Sequence, residues 1–139
     1  SPNVSDIVSI GMSAENAGAD AVSAINTVVG MSINAKTGMS DIFTTYGGLS
    51  GPAIKPIGLA AVHKLYQQLS IPIIGIGGIV SGEDAVEYML AGATAVQVGT
   101  ANFRDPGISE NTIDSLKNIL NESNRNVAAD LIGSVQTHS

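Results

Sequence analysis

Apolar residues along the chain form short continuous runs that alternate with segments of helical spacing. The runs at residues 21–25, 71–76 and 95–98 are typical of strands buried on both faces. Before the second run, apolar residues recur every four positions, as on one face of a helix, at Ile57, Ala61, Leu65 and Leu69. The pattern predicts the order α, β, α, β, α, β, α. Because strands alternate with helices, we expect parallel strands joined by right-handed crossovers.

Local signals predict where the helices begin and end. Ser5 is expected to cap the first helix and Gly18 to end it. Ser81, with Asp84 three residues later, resembles a capping box, and Gly92 is expected to end the helix that follows. The last helix is expected after residue 106, where Ile113, Leu116 and Leu120 mark it.

Two segments are less regular. Residues 28–50 contain four glycines and show no clean period, which predicts a long loop that is either functional or disordered. Beyond Asn121 there is one apolar cluster, at residues 131–132. Lys36 and Lys55 are expected on the solvated side of the loop and of the helix after it. His63 and His138 are expected to have no functional role.

Three strands are too few for a closed barrel, since a (β/α)₈ barrel takes roughly 250 residues. We therefore expect an α/β fold in which residues 1–139 form the C-terminal part of a TIM barrel, with strands about 6–8 and their helices. A small open sandwich is the alternative.

Two neighbouring strands are followed by residues with little or no side chain, Gly77-Gly78 and Gly99-Thr100. In a barrel, phosphate often binds at the carboxyl ends of the last two strands, and bare backbone N–H groups can approach it closely. A short helix starting near Ala101 would add a favourable dipole. The alternative for either pair is a tight turn alone. A dinucleotide fingerprint is a weak interpretation, because the third glycine is missing.

Composition limits the partners. The net charge is −6 with six basic residues, which argues against nucleic acid and against anionic membrane surfaces. No apolar run approaches the roughly 20 residues of a membrane helix, and no signal-peptide pattern is present, so we expect a cytoplasmic protein. There is no cysteine, and the carboxylates are scattered without metal-like spacing, so no metal site is predicted.

Four motifs together resemble one family. They are "INT" at 25–27, "GGLSGPAIKP" at 47–56, "IPIIGIGGI" at 71–79 and "GATAVQVGTANF" at 92–103. In this order and spacing they resemble the class 1 dihydroorotate dehydrogenases, in particular the catalytic subunit of subclass 1B, over at least residues 1–120. The family folds as an FMN-containing (β/α)₈ barrel that oxidises dihydroorotate to orotate in pyrimidine (UMP) synthesis.

The resemblance implies roles for individual residues. Asn26 and Thr27 would hydrogen-bond orotate or dihydroorotate. The remaining positions would bind FMN, with Ile25 against the flavin, Gly51 allowing close approach, and the phosphate held by Gly77, Gly78, Gly99 and Thr100. A subclass 1B enzyme also passes electrons through an FAD and iron–sulfur subunit to NAD, so such a partner is implied.

The chain departs from the family in one respect that matters for catalysis. The general base of this class is a cysteine on an active-site loop, and this chain has none. The flavin-contacting lysine of the family motif would fall just before Ser1. We therefore expect no catalytic residue in this chain and an inactive isolated fragment. A non-catalytic half-barrel that binds phosphate or flavin weakly, or self-associates, is the alternative. Open sheet edges also predict a homo-oligomer.

Overall fold

The computed structural model describes residues 1–123 and 127–137. Its helices are α1 (Ile7–Asn16), α2 (Lys55–Tyr66), α3 (Gly82–Leu90) and α4 (Ile108–Glu122). Its strands are β1 (Val22–Ala24), β2 (Val28–Gly30), β3 (Gly47–Leu49), β4 (Ile73–Ile76) and β5 (Ala95–Gln97). Short 3₁₀ helices cover Pro52–Ile54, Thr100–Phe103 and Ala128–Leu131. His138 lies outside the described residues.

Strands β1, β4 and β5 form a parallel sheet in that spatial order. Ala24 lies opposite Gly75, and Gly75 lies opposite Val96. Each crossover between neighbouring strands carries a helix, α2 before β4 and α3 before β5. The predicted parallel pairing of the three apolar runs is therefore confirmed.

The helices cover one face of this sheet. On that face Ala24, Ile73 and Gly75 are buried, and Val62 and Tyr88 from α2 and α3 are fully enclosed in the same core. The registers place Ser23, Ile74 and Ala95 side by side on the opposite face, where Ser23 and Ala95 are exposed and Ile74 is half-buried. The sheet thus has one packed face and one open face.

Residues 28–50 are not only a loop, which corrects the prediction for this segment. Strands β2 and β3 pair antiparallel, with Val28 opposite Leu49, and an isolated bridge joins Ile33 to Ser40. Each strand has three residues and both contain glycine, so neither shows the alternation that predicts a strand. Residues 28–49, the two strands with the segment between them, are called the β2–β3 ribbon below. The ribbon exposes large apolar side chains at Val29, Met31, Ile33, Met39, Phe43, Tyr46 and Leu49.

One prediction about a helix start was wrong. Asp6, not Ser5, caps α1, and its Oδ1 accepts hydrogen bonds from the N–H groups of Val8 and Ser9 at 3.0 and 3.1 Å. The error is one of neighbouring positions, where spacing alone discriminates poorly. The final helix is confirmed, since Ile113, Leu116 and Leu120 all lie on α4. Within α4, Ile113 is 52% exposed and Thr112 is the buried residue.

The other helix ends follow the prediction. Gly18 and Gly92 have positive φ angles of 92° and 118° just after α1 and α3. The Ser81 hydroxyl accepts from the N–H of Asp84, and Asp84 Oδ2 accepts from the N–H of Val80 at 2.8 Å. The reciprocal bond thus reaches one residue further back than in the usual capping box.

Candidate functional site

A cavity of about 600 Å³ opens at the carboxyl ends of β1, β4 and β5. Parallel strands that share a direction end at the same edge of the sheet, so the residues after them converge there. All eight residues predicted to bind substrate or cofactor line this one cavity, namely Ile25, Asn26, Thr27, Gly51, Gly77, Gly78, Gly99 and Thr100. The structure therefore brings the whole predicted set together in one place.

The turn after β4 can be built only from glycine. Gly77 and Gly78 have φ angles of 131° and 74°, which side chains rarely tolerate. A Cβ on Gly78 would lie 2.8 Å from the carbonyl oxygen of Gly51 and 2.9 Å from the backbone nitrogen of Lys55. The segments that carry Gly51 and Gly78 are therefore in direct contact, and no side chain separates them.

The backbone in this part of the cavity fits an anionic group. Within residues 1–123 and 127–137, the N–H groups of Gly78 and Gly99 donate no hydrogen bond to another protein group. A Cβ on Gly99 would meet no atom within 4 Å, so the space beside it is open. The Asn102 side chain donates to the carbonyl oxygens of Val98 at 2.6 Å and Gly99 at 3.2 Å. The carbonyl oxygens of Val98 and Gly99 therefore have a donor, whereas the N–H groups of Gly78 and Gly99 remain free and suit a phosphate.

A different set of bonds orders the Asn26–Thr27 segment. Asn26 Oδ1 accepts from the N–H of Thr27 at 2.7 Å. Asn3 Nδ2 donates to the carbonyl oxygen of Thr27 at 2.8 Å, and Asn3 Oδ1 accepts from the N–H of Val29 at 2.9 Å. Sequence analysis did not identify this role of Asn3, because the contact spans more than twenty residues. Gly48 packs against the Thr27 side chain, where a larger residue has no room.

Ile25 connects β1 to the cavity. Its side chain is buried, and its N–H donates to the carbonyl oxygen of Ile76 at 2.8 Å. The Ala24–Ile25 peptide is cis. Of the charged side chains, Arg104 and Asp105 also line the cavity. Neither residue was predicted as a site residue, because neither belongs to a glycine pair or to a strand end.

Lys55 is not a solvated lysine, which corrects the prediction made for it. Its Nζ lies 2.6 Å from Asp84 Oδ1 and 2.9 Å from Glu87 Oε2. Hydrogen bonds to Asp84 and then to Glu87 raise the pKa of Lys55. Burial acts to raise the pKa of Asp84, but the bonds from Lys55 and from the Val80 N–H hold it below its ordinary value. The Lys55–Asp84 ion pair thus joins the start of α2 to α3, beside the glycine turn at residues 77–78.

Other kinds of site find no support in the described part of the chain. Residues 1–123 and 127–137 contain no group of three His, Cys, Asp or Glu side chains placed to hold a metal ion. None of the helices in these ranges combines the length and the apolar character needed to cross a bilayer.

Parallel strands with crossover helices, and a cavity at their carboxyl ends, place the chain in the α/β class of folds. The comparisons with known proteins are more specific. The family model "Dihydroorotate dehydrogenase" matches residues 1–120, so the chain belongs to the dihydroorotate dehydrogenase family. Its fold is a partial (β/α)₈ barrel, as predicted.

Curated relatives carry the name "Dihydroorotate dehydrogenase B (NAD(+)), catalytic subunit". The protein from Shouchella clausii is 50% identical over 133 residues, which cover 96% of this chain and 44% of the relative. The protein from Bacillus pumilus is 52% identical over 120 residues, which cover 86% of this chain and 39% of the relative. The chain therefore spans less than half the length of these relatives.

A solved structure agrees with this placement. The crystal structure of DHODH from Eimeria tenella in complex with ferulenol matches with a TM-score of 0.80 and 31% sequence identity. The match covers 96% of this chain and 36% of that one. The described fold therefore resembles about a third of that longer chain.

Proposed function

We propose that this chain contributes the phosphate end of an FMN site and part of the substrate site of a dihydroorotate dehydrogenase. The proposed reaction is the FMN-dependent oxidation of dihydroorotate to orotate in de novo pyrimidine synthesis. The observation that carries the proposal is the convergence of all eight predicted residues on one cavity at the carboxyl ends of three parallel strands. Membership of the family supports the same reaction.

The FMN phosphate would be held by backbone donors. The free N–H groups of Gly78 and Gly99 supply two donors, with Gly77 and Thr100 beside them. Gly51 approaches Gly78 so closely that the cofactor would meet only backbone there. FMN, when bound, supplies the hydride acceptor for the oxidation. Ile25 would lie against the flavin through its backbone, at the end of β1.

The substrate would be oriented by Asn26 and Thr27. Because Asn26 Oδ1 already accepts from the N–H of Thr27, the Asn26 Nδ2 group remains available to donate. Dihydroorotate presents a carboxylate and amide carbonyls, which accept such bonds. The Thr27 hydroxyl both donates and accepts, and Asn3 keeps the Thr27 backbone in place.

The partners of the whole enzyme follow from the names of the relatives. "Catalytic subunit" supports a partner subunit, and "NAD(+)" supports NAD as the acceptor. From the resemblance to the family, this partner would carry FAD and an iron–sulfur centre and would pass electrons to NAD. A cytoplasmic location and a homo-oligomeric state complete the proposal. For the isolated chain we propose association as well, because within the described residues the outer edges of β1 and β5 are unpaired.

A second candidate function, a half-barrel that binds phosphate or flavin without catalysis, is favoured by the absence of cysteine. Loss of a general base alone costs roughly 10²–10⁴-fold in rate. We therefore expect the isolated 139-residue chain, supplied with FMN, to show no measurable oxidation of dihydroorotate. Turnover near that of a complete enzyme of the family would contradict this expectation.

Titration with two flavins tests the proposed site. FMN and riboflavin share the isoalloxazine ring and ribityl chain and differ in the phosphate, so their affinities isolate the phosphate contribution. We expect the chain to bind FMN at least tenfold more tightly than riboflavin, and orotate to change the absorbance spectrum of the bound flavin. Equal affinities for the two flavins would contradict the phosphate site.

A further inference from the structure

The glycine turn is held at both ends by side chains of one helix. The hydroxyl of Tyr88 donates to the carbonyl oxygen of Gly77 at 2.7 Å. Asp84 Oδ2 accepts from the N–H of Val80 at 2.8 Å. Asp84 and Tyr88 are four residues apart on α3, so they lie on one face of the helix, one turn apart. The face of α3 turned toward β4 thus contacts both the first and the last residue of the turn.

Lys55 fixes the orientation of the Asp84 carboxylate. Its Nζ binds Asp84 Oδ1 at 2.6 Å, while the other oxygen of the same carboxylate faces Val80. The backbone of Lys55 also packs directly on Gly78, at the place where a Cβ would have to fit. A closed ring of contacts therefore runs from Gly78 to Lys55, to Asp84 and back to Val80.

The Tyr88 side chain is fully buried, its hydroxyl included. The hydroxyl oxygen is the atom nearest to Gly58, and the ring lies against Gly75. A phenylalanine ring would keep the contact with Gly75 and leave a small gap beside Gly58. Within the described residues the hydroxyl has one hydrogen-bond partner, the Gly77 carbonyl oxygen. Burying a hydroxyl is unfavourable unless it is bonded, so this bond stabilises tyrosine at the position.

We propose that Tyr88, Asp84 and Lys55 form a positioning clamp that holds residues 77–80 in the conformation that leaves the Gly78 N–H free for an anionic ligand. These residues act through the turn and do not touch the ligand. The inference rests on the proposed function, because it assumes that the turn binds the phosphate of FMN.

Tyr88→Phe is the principal test, because it removes the hydroxyl and keeps the ring. We expect FMN affinity to fall about fivefold to tenfold, as for the loss of one buried hydrogen bond, with riboflavin affinity unchanged. The amide resonances of Gly78 and Val80 should shift in the ligand-free chain. Tyr66→Phe is the matched control, since Tyr66 packs against Gly92 and Gly133 away from the cavity. It should change neither FMN affinity nor these resonances.

Asp84→Ala provides a second test, because two explanations predict opposite changes in the affinity for FMN. Removing a negative charge near an anion site would strengthen FMN binding if only Coulomb forces acted. The clamp instead predicts weaker binding, because Val80 loses its acceptor and Lys55 loses its main partner. Both variants are measured well below their melting temperatures, so that lower stability alone does not reduce the affinity.

The possible outcomes separate the clamp from the proposed site. Wild-type affinity for FMN and unshifted Gly78 and Val80 resonances in folded Tyr88→Phe would overturn the clamp, as would tighter binding by Asp84→Ala. Equal FMN and riboflavin affinity in the wild-type chain would overturn the phosphate site and the ligand role of the clamp with it. In that case the resonance shifts would still show whether the clamp orders the turn.

Discussion

Gly78 lies so close to Gly51 that a single added carbon would stand 2.8 Å from the Gly51 carbonyl oxygen. The two residues belong to segments that follow different strands, and both line the cavity. Gly78 therefore has a packing role as well as a proposed binding role. Any substitution there changes both at once, so stability and ligand binding have to be tested at different glycines.

Gly78→Ala should lower the free energy of unfolding by about 2–5 kcal/mol, from the strain of a positive φ and from overpacking. Gly38→Ala is the matched control. Its φ of 71° is close to the 74° of Gly78, but a Cβ there would meet nothing within 4 Å. It should cost about 1–2 kcal/mol, the strain alone. Urea denaturation measures the free energy of unfolding of both variants. An equal loss in the two would show that the protein relieves the contact between the new Cβ and Gly51 without loss of stability.

Gly99→Asp should abolish preferential binding of FMN over riboflavin and leave stability nearly unchanged. The new side chain would enter open space beside a free N–H, where its negative charge repels a phosphate. Gly99→Asn has almost the same shape without the charge and should retain most of the preference. Flavin titration and thermal unfolding check both properties. Unchanged FMN affinity in the aspartate variant would place the anion elsewhere.

Features that depend on the order of neighbouring residues along the chain could be predicted from the sequence. Alternation of apolar runs with helical segments predicted the parallel sheet, and strand ends in such a sheet meet at one edge. The convergence of Asn26, Gly77 and Gly99 on one cavity follows from that topology. The glycines at the strand ends also predicted a phosphate at Gly77 and Gly99, whereas the identity of FMN and the orotate role of Asn26 came from the resemblance to the family.

Features that depend on distant contacts were beyond the sequence. Lys55 meets Asp84 across 29 positions, and no local pattern distinguishes it from a solvated lysine. Asn3 reaches the Thr27 carbonyl across 24 positions. The three-residue strands of the β2–β3 ribbon gain their order from pairing with each other, so neither carries a strand signal of its own.

The Lys55–Asp84 pair predicts a pH dependence of stability. Because the folded pKa of Asp84 is below 3.8, its contribution is present above about pH 3.8 and is lost as pH falls through the folded value. The pKa of Lys55 is raised above 10.5, so its contribution is lost only as pH rises through that higher value. Asp84→Asn should therefore cost about 1–3 kcal/mol at pH 7 and less at pH 3.

Urea denaturation at both pH values measures this difference between Asp84→Asn and the wild-type chain. Asp114→Asn is the control, since Asp114 pairs with Lys117 at 3.0 Å but both side chains are largely exposed. Such a surface pair contributes about 0–1 kcal/mol. An Asp84→Asn loss as small as that of the control, or one that does not shrink in acid, would mean that the buried pair does not stabilise the chain.

The isolated chain should associate through its sheet. In the described part of the chain, the outer strands β1 and β5 have unpaired edges, and such edges recruit other strands. No helix among residues 1–123 and 127–137 covers the face that carries Ser23, Ile74 and Ala95. A net charge of −6 opposes association only weakly at physiological salt, where screening acts over about 8 Å. Sedimentation velocity across a dilution series should therefore show a dimer or larger species.

The β2–β3 ribbon is the alternative surface for association, because Met39 and Phe43 are 70% and 104% exposed there. The double variant Met39→Ser, Phe43→Ser removes these apolar groups and leaves the sheet edges intact. Association through the sheet should persist in this variant at unchanged affinity. Dissociation of the variant would assign the interface to the ribbon. For the unaltered chain, association would be contradicted by a single species near the 14.1 kDa chain mass at every concentration. That result would require another part of the chain to protect the sheet edges.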